Sequence, residues 1–370
     1  MLRVVNEMRR GQLFAAIAAA SFGTSYVATG VALRSFTPAS VALWRGGLSA
    51  VLMLGLLALG VVPRHRLRTS RRGLARLLVL GFLGGPGFIL LMNLSIVSAG
   101  ATIVAFVSGL YAVLASVIAP FVLRERLGRT ALAGFVVALA GTALLANLEV
   151  EPARAPGIAL ALVAALVFAV FLVLLRRWTA PQAPAGAVPA RAAGEAAQAR
   201  GAAPGADAAP VREAAPGADA APGADAAPGA DAAPTREATP ARTAEAPLAG
   251  EAVAVATFLW TAALLLVIEV ATEPAAIAPA AVRPDALIAI AWLAIGPGVL
   301  SQLLVAASAR LIPVRRSAAF LLLNPLTAAL VAAIVLGETL APIQFAGGAL
   351  VMLGIALATG VLDLFRGRRD

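Results

Sequence analysis

No cysteine occurs among the 370 residues, and lysine is absent as well, so all 29 basic residues are arginine. The first absence excludes disulfides and thiolate metal sites. The single histidine, His65, lies in a basic stretch between apolar segments, which leaves a zinc site or a Ser/His hydrolase dyad without a base. Charged residues make up only 13%, against roughly a quarter in soluble domains. Hydrophobic residues reach 61% and mean hydropathy is +0.91. These values place the chain in a lipid bilayer. The formal charge of +10 does not point to a nucleic-acid partner, because the arginines are scattered between apolar segments. In that position arginine is a topology signal.

A membrane-spanning helix needs about 20 mainly apolar residues. Ten stretches qualify: 12–34, 39–62, 74–97, 101–122, 130–147, 157–176, 251–271, 286–309, 314–336 and 341–362. The first is too long, and too poorly matched to a cleavage site, for a removed leader, and reads as a retained helix. With the N-terminus inside, one face collects Arg3, Arg9 and Arg10, then Arg64 to Arg76, Arg124, Arg126 and Arg129. Arg176, Arg177, Arg310, Arg315, Arg316 and Arg366 to Arg369 follow on that side, whereas the other receives only Arg34, Arg154 and Arg283. By the positive-inside rule both termini are cytoplasmic, in a plasma or inner membrane.

Between spans six and seven the composition changes. Residues 178–250 are rich in Ala, Pro and Gly and repeat Pro-Gly-Ala-Asp-Ala-Ala at 204–209, 216–221, 222–227 and 228–233. Such a segment buries too little apolar surface to offset its ordering entropy, and is expected to be a disordered cytoplasmic loop. It reads as a tolerated insertion, with partner binding as the alternative.

The rest of the chain is duplicated. Gly-Pro-Gly occurs at 85–87 and at 296–298, near the middle of the third span of each half. Aligning Glu125 with Glu338 also places Leu127 on Leu340, Gly134 on Gly347 and Gly141 on Gly354. Each half then holds five spans, 11–148 for the first and 156–177 plus 251–363 for the second. An odd number forces the second half to insert upside down. The expected fold is an all-α integral membrane protein of ten transmembrane helices in two inverted five-helix repeats, an arrangement that permits alternating access.

Several positions carry candidate chemistry. Gly85, Pro86, Gly87, Gly296, Pro297 and Gly298 read as helix breaks that line a site or act as hinges, or as packing kinks. Arg45 is charged well inside a span, about 9 Å from its outer end at 1.5 Å per residue. It could attract a substrate carboxylate or phosphate, snorkel to the interface, or bond to carbonyls of a neighbouring helix. Tyr26, Tyr111 and Asn324 lead as cavity-lining groups, with Asn93 and Gln302 further out and in. Thr24, Ser25 and Ser108 rank below them because short hydroxyls often bond within their own helix. Glu125 and Glu338 are expected to cap the helices that follow them. No Asp, Glu or His falls at the centre of a span, and Glu269 lies near the outer end of the seventh. A facilitator or exchanger fits that absence, as does proton coupling through a peripheral group such as Glu269.

Phe22-Gly23-Thr24-Ser25, Arg45, Gly337-Glu338-Thr339-Leu340, the related Arg124-Glu125-Arg126-Leu127 and the Gly-x6-Gly spacing of spans five and ten resemble the EamA-type drug/metabolite transporter pattern. The resemblance covers nearly the whole chain outside the insertion. It departs at Ala112, where the second half has Pro325, at Arg124 in place of glycine, and in lacking a tryptophan in the first motif. It implies a carrier exporting small organic metabolites such as amino acids or related amphiphilic solutes. The implied partners are the bilayer and a small-molecule substrate, with no cofactor, no metal and no nucleic acid. Oligomeric state is open, a homodimer among the options. The competing reading is a non-transporting sensor or scaffold that signals through 178–250. A membrane enzyme is disfavoured because no nucleophile and base come together.

Overall fold

Thr37 and Pro38 illustrate how the helices begin. Thr37 is extended and its Oγ1 accepts from the Ser40 N–H at 3.1 Å, while Pro38 fills a first-turn position that needs no donor. Ser70 caps the next helix in the same way, accepting from Gly73 N–H at 3.0 Å. Between the third and fourth helices the chain reverses at Gly100, whose φ of +81° is readily adopted only by glycine.

The computed structural model describes residues 2–62, 67, 69–123, 129–146, 152–179, 248–277, 279, 281–312, 320, 322–339 and 341–359. Glu125 and nearly all of the expected 178–250 loop lie outside these residues. Among them the regular structure is helical, without a strand. In chain order α1 is Leu2–Ala32, α2 Pro38–Ala58, α3 Arg71–Ala99, α4 Ala101–Leu123, α5 Arg129–Ala146 and α6 Ala155–Thr179. Then α7 is Gly250–Thr272, and α8 joins Pro284–Leu293, Ala294–Leu300 and Ser301–Leu311. Last come α9, Leu323–Val335, and α10, Pro342–Ala358.

Seven of these are long and apolar enough to cross a bilayer, whereas α5, α9 and α10 are shorter apolar helices. The ten-span expectation is therefore met in part. α9 differs most: 13 residues reach only about 20 Å at 1.5 Å per residue. Outward faces are apolar, with Leu59, Phe121 and Ile334 each at least 75% exposed. On a soluble protein so many exposed large side chains would be a liability; in a bilayer they meet lipid.

The buried seams use small residues instead. A Cβ on Gly134 would lie 2.5 Å from the Gly354 carbonyl oxygen, and one on Gly141 would lie 2.7 Å from that of Gly347. Gly134 meets Gly354 while the later Gly141 meets the earlier Gly347, so α5 and α10 cross antiparallel with backbones in contact. Gln344, buried at the start of α10, donates to the Leu145 carbonyl of α5 at 3.3 Å. Elsewhere α1 packs along α8 and α9, α6 along α3 and α4, and α2 along α7.

Candidate functional site

Tyr26 of α1, Arg45 of α2, Ser108 and Tyr111 of α4 and Asn324 of α9 converge inside this bundle, each no more than 9% exposed. Tyr26 interacts electrostatically with both Tyr111 and Arg45. Its hydroxyl faces Ser108, and that of Tyr111 faces Asn324. Neither Ser108 Oγ nor Asn324 Oδ1 completes a hydrogen bond of full geometry, and Arg45 Nε and Nη1 have no partner. An orphaned buried polar atom costs about 1–3 kcal/mol, more when charged. The two unpartnered guanidinium nitrogens therefore mark a site that the fold alone does not satisfy. Aromatic rings flank it: Tyr111 meets Phe168 of α6 edge-on at 5.0 Å, and Phe168 packs on Phe88 at 4.4 Å.

Of the three small hydroxyls expected near the centre, two are spent locally. Thr24 donates to the Ser21 carbonyl at 2.7 Å and Ser25 to that of Phe22 at 2.6 Å. Ser108 is the one left over. Asn93 is buried on α3, where its Nδ2 donates to the Pro38 carbonyl at 2.9 Å and its Oδ1 has no partner, whereas Gln302 is exposed on α8.

Both Gly-Pro-Gly motifs interrupt their α-helices with a wider turn, and the first is also kinked. Leu83–Gly87 in α3 and Ala294–Leu300 in α8 are π-helical, a wide turn that accommodates a proline lacking its N–H. Gly85 leaves helical geometry, at φ −99° and ψ −112°. In the second copy the Ser301 hydroxyl donates to the Gly296 carbonyl at 3.0 Å. The packing is reciprocal. A Cβ on Gly85 would lie 2.6 Å from Thr261 Oγ1 and 2.7 Å from the Thr257 carbonyl, both of α7. One on Gly298 would lie 2.5 Å from Ser49 Oγ of α2.

Two carboxylates sit at helix ends. Glu338 accepts from the Ala101 and Thr102 N–H groups at 2.9 Å each, so it caps α4, not the α10 that follows it in sequence. The expectation failed on this point because Gly337, at φ +69°, turns the chain back across the bundle. Glu269 is 2% exposed and its Oε1 accepts from Thr37 and Ser40 hydroxyls at 2.8 and 2.9 Å. Cavities of about 350 and 320 Å³ open around Gly100 and Glu338. Neither is lined by the central five residues, and the Glu338 carboxylate they share is already held by the Ala101 and Thr102 N–H groups. Among the described residues no group of three or more His, Cys, Asp or Glu side chains gathers to hold a metal.

The family model described as the EamA-like transporter family matches residues 9–147 and 248–360. The chain belongs to that family. This EamA-like protein is thus a multi-pass membrane transporter, and its substrates are small molecules. A solved crystal structure, one of 21 matching chains, superposes with a TM-score of 0.56 over 96% of this chain and 99% of its own, at 18% identity. That identity shows likeness of fold alone. Among curated proteins none matches.

Sequence reasoning passed over Ser49, Thr257 and Thr261 in this EamA-like chain. A signal existed: Thr261 lies 212 residues after Ser49, between the 211 separating the two Gly-Pro-Gly motifs and the 213 separating Glu125 from Glu338. Phe88 and Phe168 gave none, because phenylalanine in an apolar span reads the same inside and outside the bundle.

Proposed function

We propose that this transporter moves small organic metabolites, amino acids or related amphiphilic solutes, outward across the cell membrane by alternating access. The substrate site in this reading is the cluster of Tyr26, Arg45, Ser108, Tyr111 and Asn324. Ten spans form two inverted five-helix repeats, 11–148 and 156–177 plus 251–363, with both termini and the 178–250 loop cytoplasmic. The arginine distribution supports that orientation.

The observation that carries the mechanism is exchange symmetry in the packing. α1 lies on α8 and α9 as α6 lies on α3 and α4, while α2 pairs with α7 and α5 with α10. The π turn of α3 rests on α7, and that of α8 on α2. Swapping the halves maps these contacts onto each other, so the halves can rock to mirror-related conformations of similar energy around a central site. The central cluster is closed to solvent here, as expected of one stage in such a cycle.

The Gly-Pro-Gly turns serve as hinges and Glu338 as a structural cap. Glu125 is assigned the corresponding cap on sequence grounds. Comparing metabolite levels inside and outside cells with and without the gene, followed by flux of the affected solute in proteoliposomes, tests the reading. Outward accumulation that depends on the gene and is reproduced with purified protein is expected. Gene-independent levels and absent flux would overturn it.

A further inference from the structure

Arg45 is the one formal charge of the central cluster, and its surroundings do not neutralise it. It is 9% exposed, Nε and Nη1 have no hydrogen-bond partner, and among the described residues no carboxylate forms an ion pair with it. Of the two carboxylates of the adjoining α7, Glu251 lies in its first turn, and Glu269, near its other end, is held by Thr37 and Ser40. An arginine inside a membrane bundle is costly and is normally compensated by a partner. A structural arginine would direct its donors at carbonyls of a neighbouring helix, yet two of the three guanidinium nitrogens are idle. Its neighbour in the cluster is Tyr26, whose hydroxyl faces Ser108, while that of Tyr111 faces Asn324. The Tyr111, Phe168 and Phe88 rings supply an apolar wall.

We propose that Arg45 receives an oxyanion of the transported solute, a carboxylate or a phosphate, so the carrier selects anionic or zwitterionic solutes with an apolar body over amides and amines of the same shape. This rests on the reading of the cluster as the substrate site. A planar guanidinium matches either oxyanion through two parallel N–H donors. The solute supplies the counter-charge that the fold leaves out, and it is desolvated against aromatic rings while Ser108 and Asn324 serve its other polar groups. Without the solute the charge stands uncompensated, which sets a stability cost on the empty protein.

The test uses the full purified chain in detergent with four shape-matched probes: phenylacetate, phenyl phosphate, phenylacetamide and phenethylamine. Thermal stabilisation by at least one anion, with at least tenfold weaker binding of the amide and amine, is expected. Whether phenylacetate or phenyl phosphate binds tighter assigns the oxyanion. Arg45→Gln removes the anion-dependent shift while the ligand-free midpoint stays equal or rises; Arg45→Lys keeps part of the shift. A midpoint that falls by many degrees in Arg45→Gln and recovers in Arg45→Lys without anion binding would instead make the residue structural and overturn the proposal. Anion selectivity also falls if amide and acid bind equally, or if neither anion binds at millimolar concentration. Tyr111→Phe and Asn324→Ala separate the two readings: weakened binding of all probes without charge preference keeps the site and rejects the selectivity. Unchanged binding in all variants rejects both.

Discussion

Glu338 Oε1 accepts a hydrogen bond from the Ala101 backbone N–H at 2.9 Å, joining positions 237 residues apart. With Oε2 on Thr102, one carboxylate from the second half closes the N-terminus of α4 in the first. Loss of such a cap costs about 0.5–2 kcal/mol, and the charge at the positive helix end adds to it. Glu338→Ala should therefore unfold at a lower temperature than Glu338→Gln, which keeps one acceptor, and both below the parent. Scanning fluorimetry in detergent gives that order. A Glu338→Ala midpoint equal to the parent's contradicts the capping geometry.

The two prolines make a matched pair of tests. Pro86→Ala and Pro297→Ala each restore an N–H and favour an ordinary α-helix over the π turn. Similar loss of flux in both variants, with membrane insertion intact, is expected, because the turns pack on equivalent places in opposite halves. Full flux in the double variant would reduce both prolines to packing elements.

The insertion leaves and rejoins the bundle at one place. Leu248 N–H donates to the Trp178 carbonyl at 2.9 Å, and the Arg76 guanidinium lies 5.8 Å from the Trp178 ring centroid. Replacing 180–247 by a short Gly/Ser linker should leave thermal stability and flux unchanged. If flux survives but a cellular phenotype is lost, the segment signals; if flux is lost, the insertion reading is wrong.

Glu269 is buried with two hydroxyl partners, and the Ser40 hydroxyl also lies 2.7 Å from the Ala276 carbonyl, so its single proton is shared between two acceptors. Any coupling to protons is assigned to this carboxyl. Should an imposed pH gradient accelerate transport in proteoliposomes, Glu269→Gln is expected to remove the acceleration and keep downhill flux. A gradient response that persists in Glu269→Gln places the coupling elsewhere.

Much of this arrangement was legible in the sequence because it resides in residues that apolar spans use sparingly. Gly134, Gly141, Gly347 and Gly354 stood out by their spacing, and they are where α5 and α10 bring backbones together. Tyr26 and Tyr111, the chain's two tyrosines, and Arg45 stood out by rarity, and they meet. What stayed hidden depends on rotation of one helix against another. Periodicity does not tell that Ser108 faces the Tyr26 hydroxyl while Ser25 bonds its own helix, nor that Gln302 lies on an exposed face. The partner of Glu338 was out of reach for a different reason, since capping across 237 residues leaves no local pattern.

Absence of cysteine makes the central claim directly measurable, because any introduced thiol is the only one. Ser108→Cys places a near-isosteric probe in the buried cluster. In oriented membrane vesicles, a membrane-impermeant maleimide is applied to one side at a time. Alternating access predicts labelling from each side in separate experiments, with the ratio shifted by a transported solute. A cysteine that labels after denaturation but from neither side in the native membrane would contradict the account.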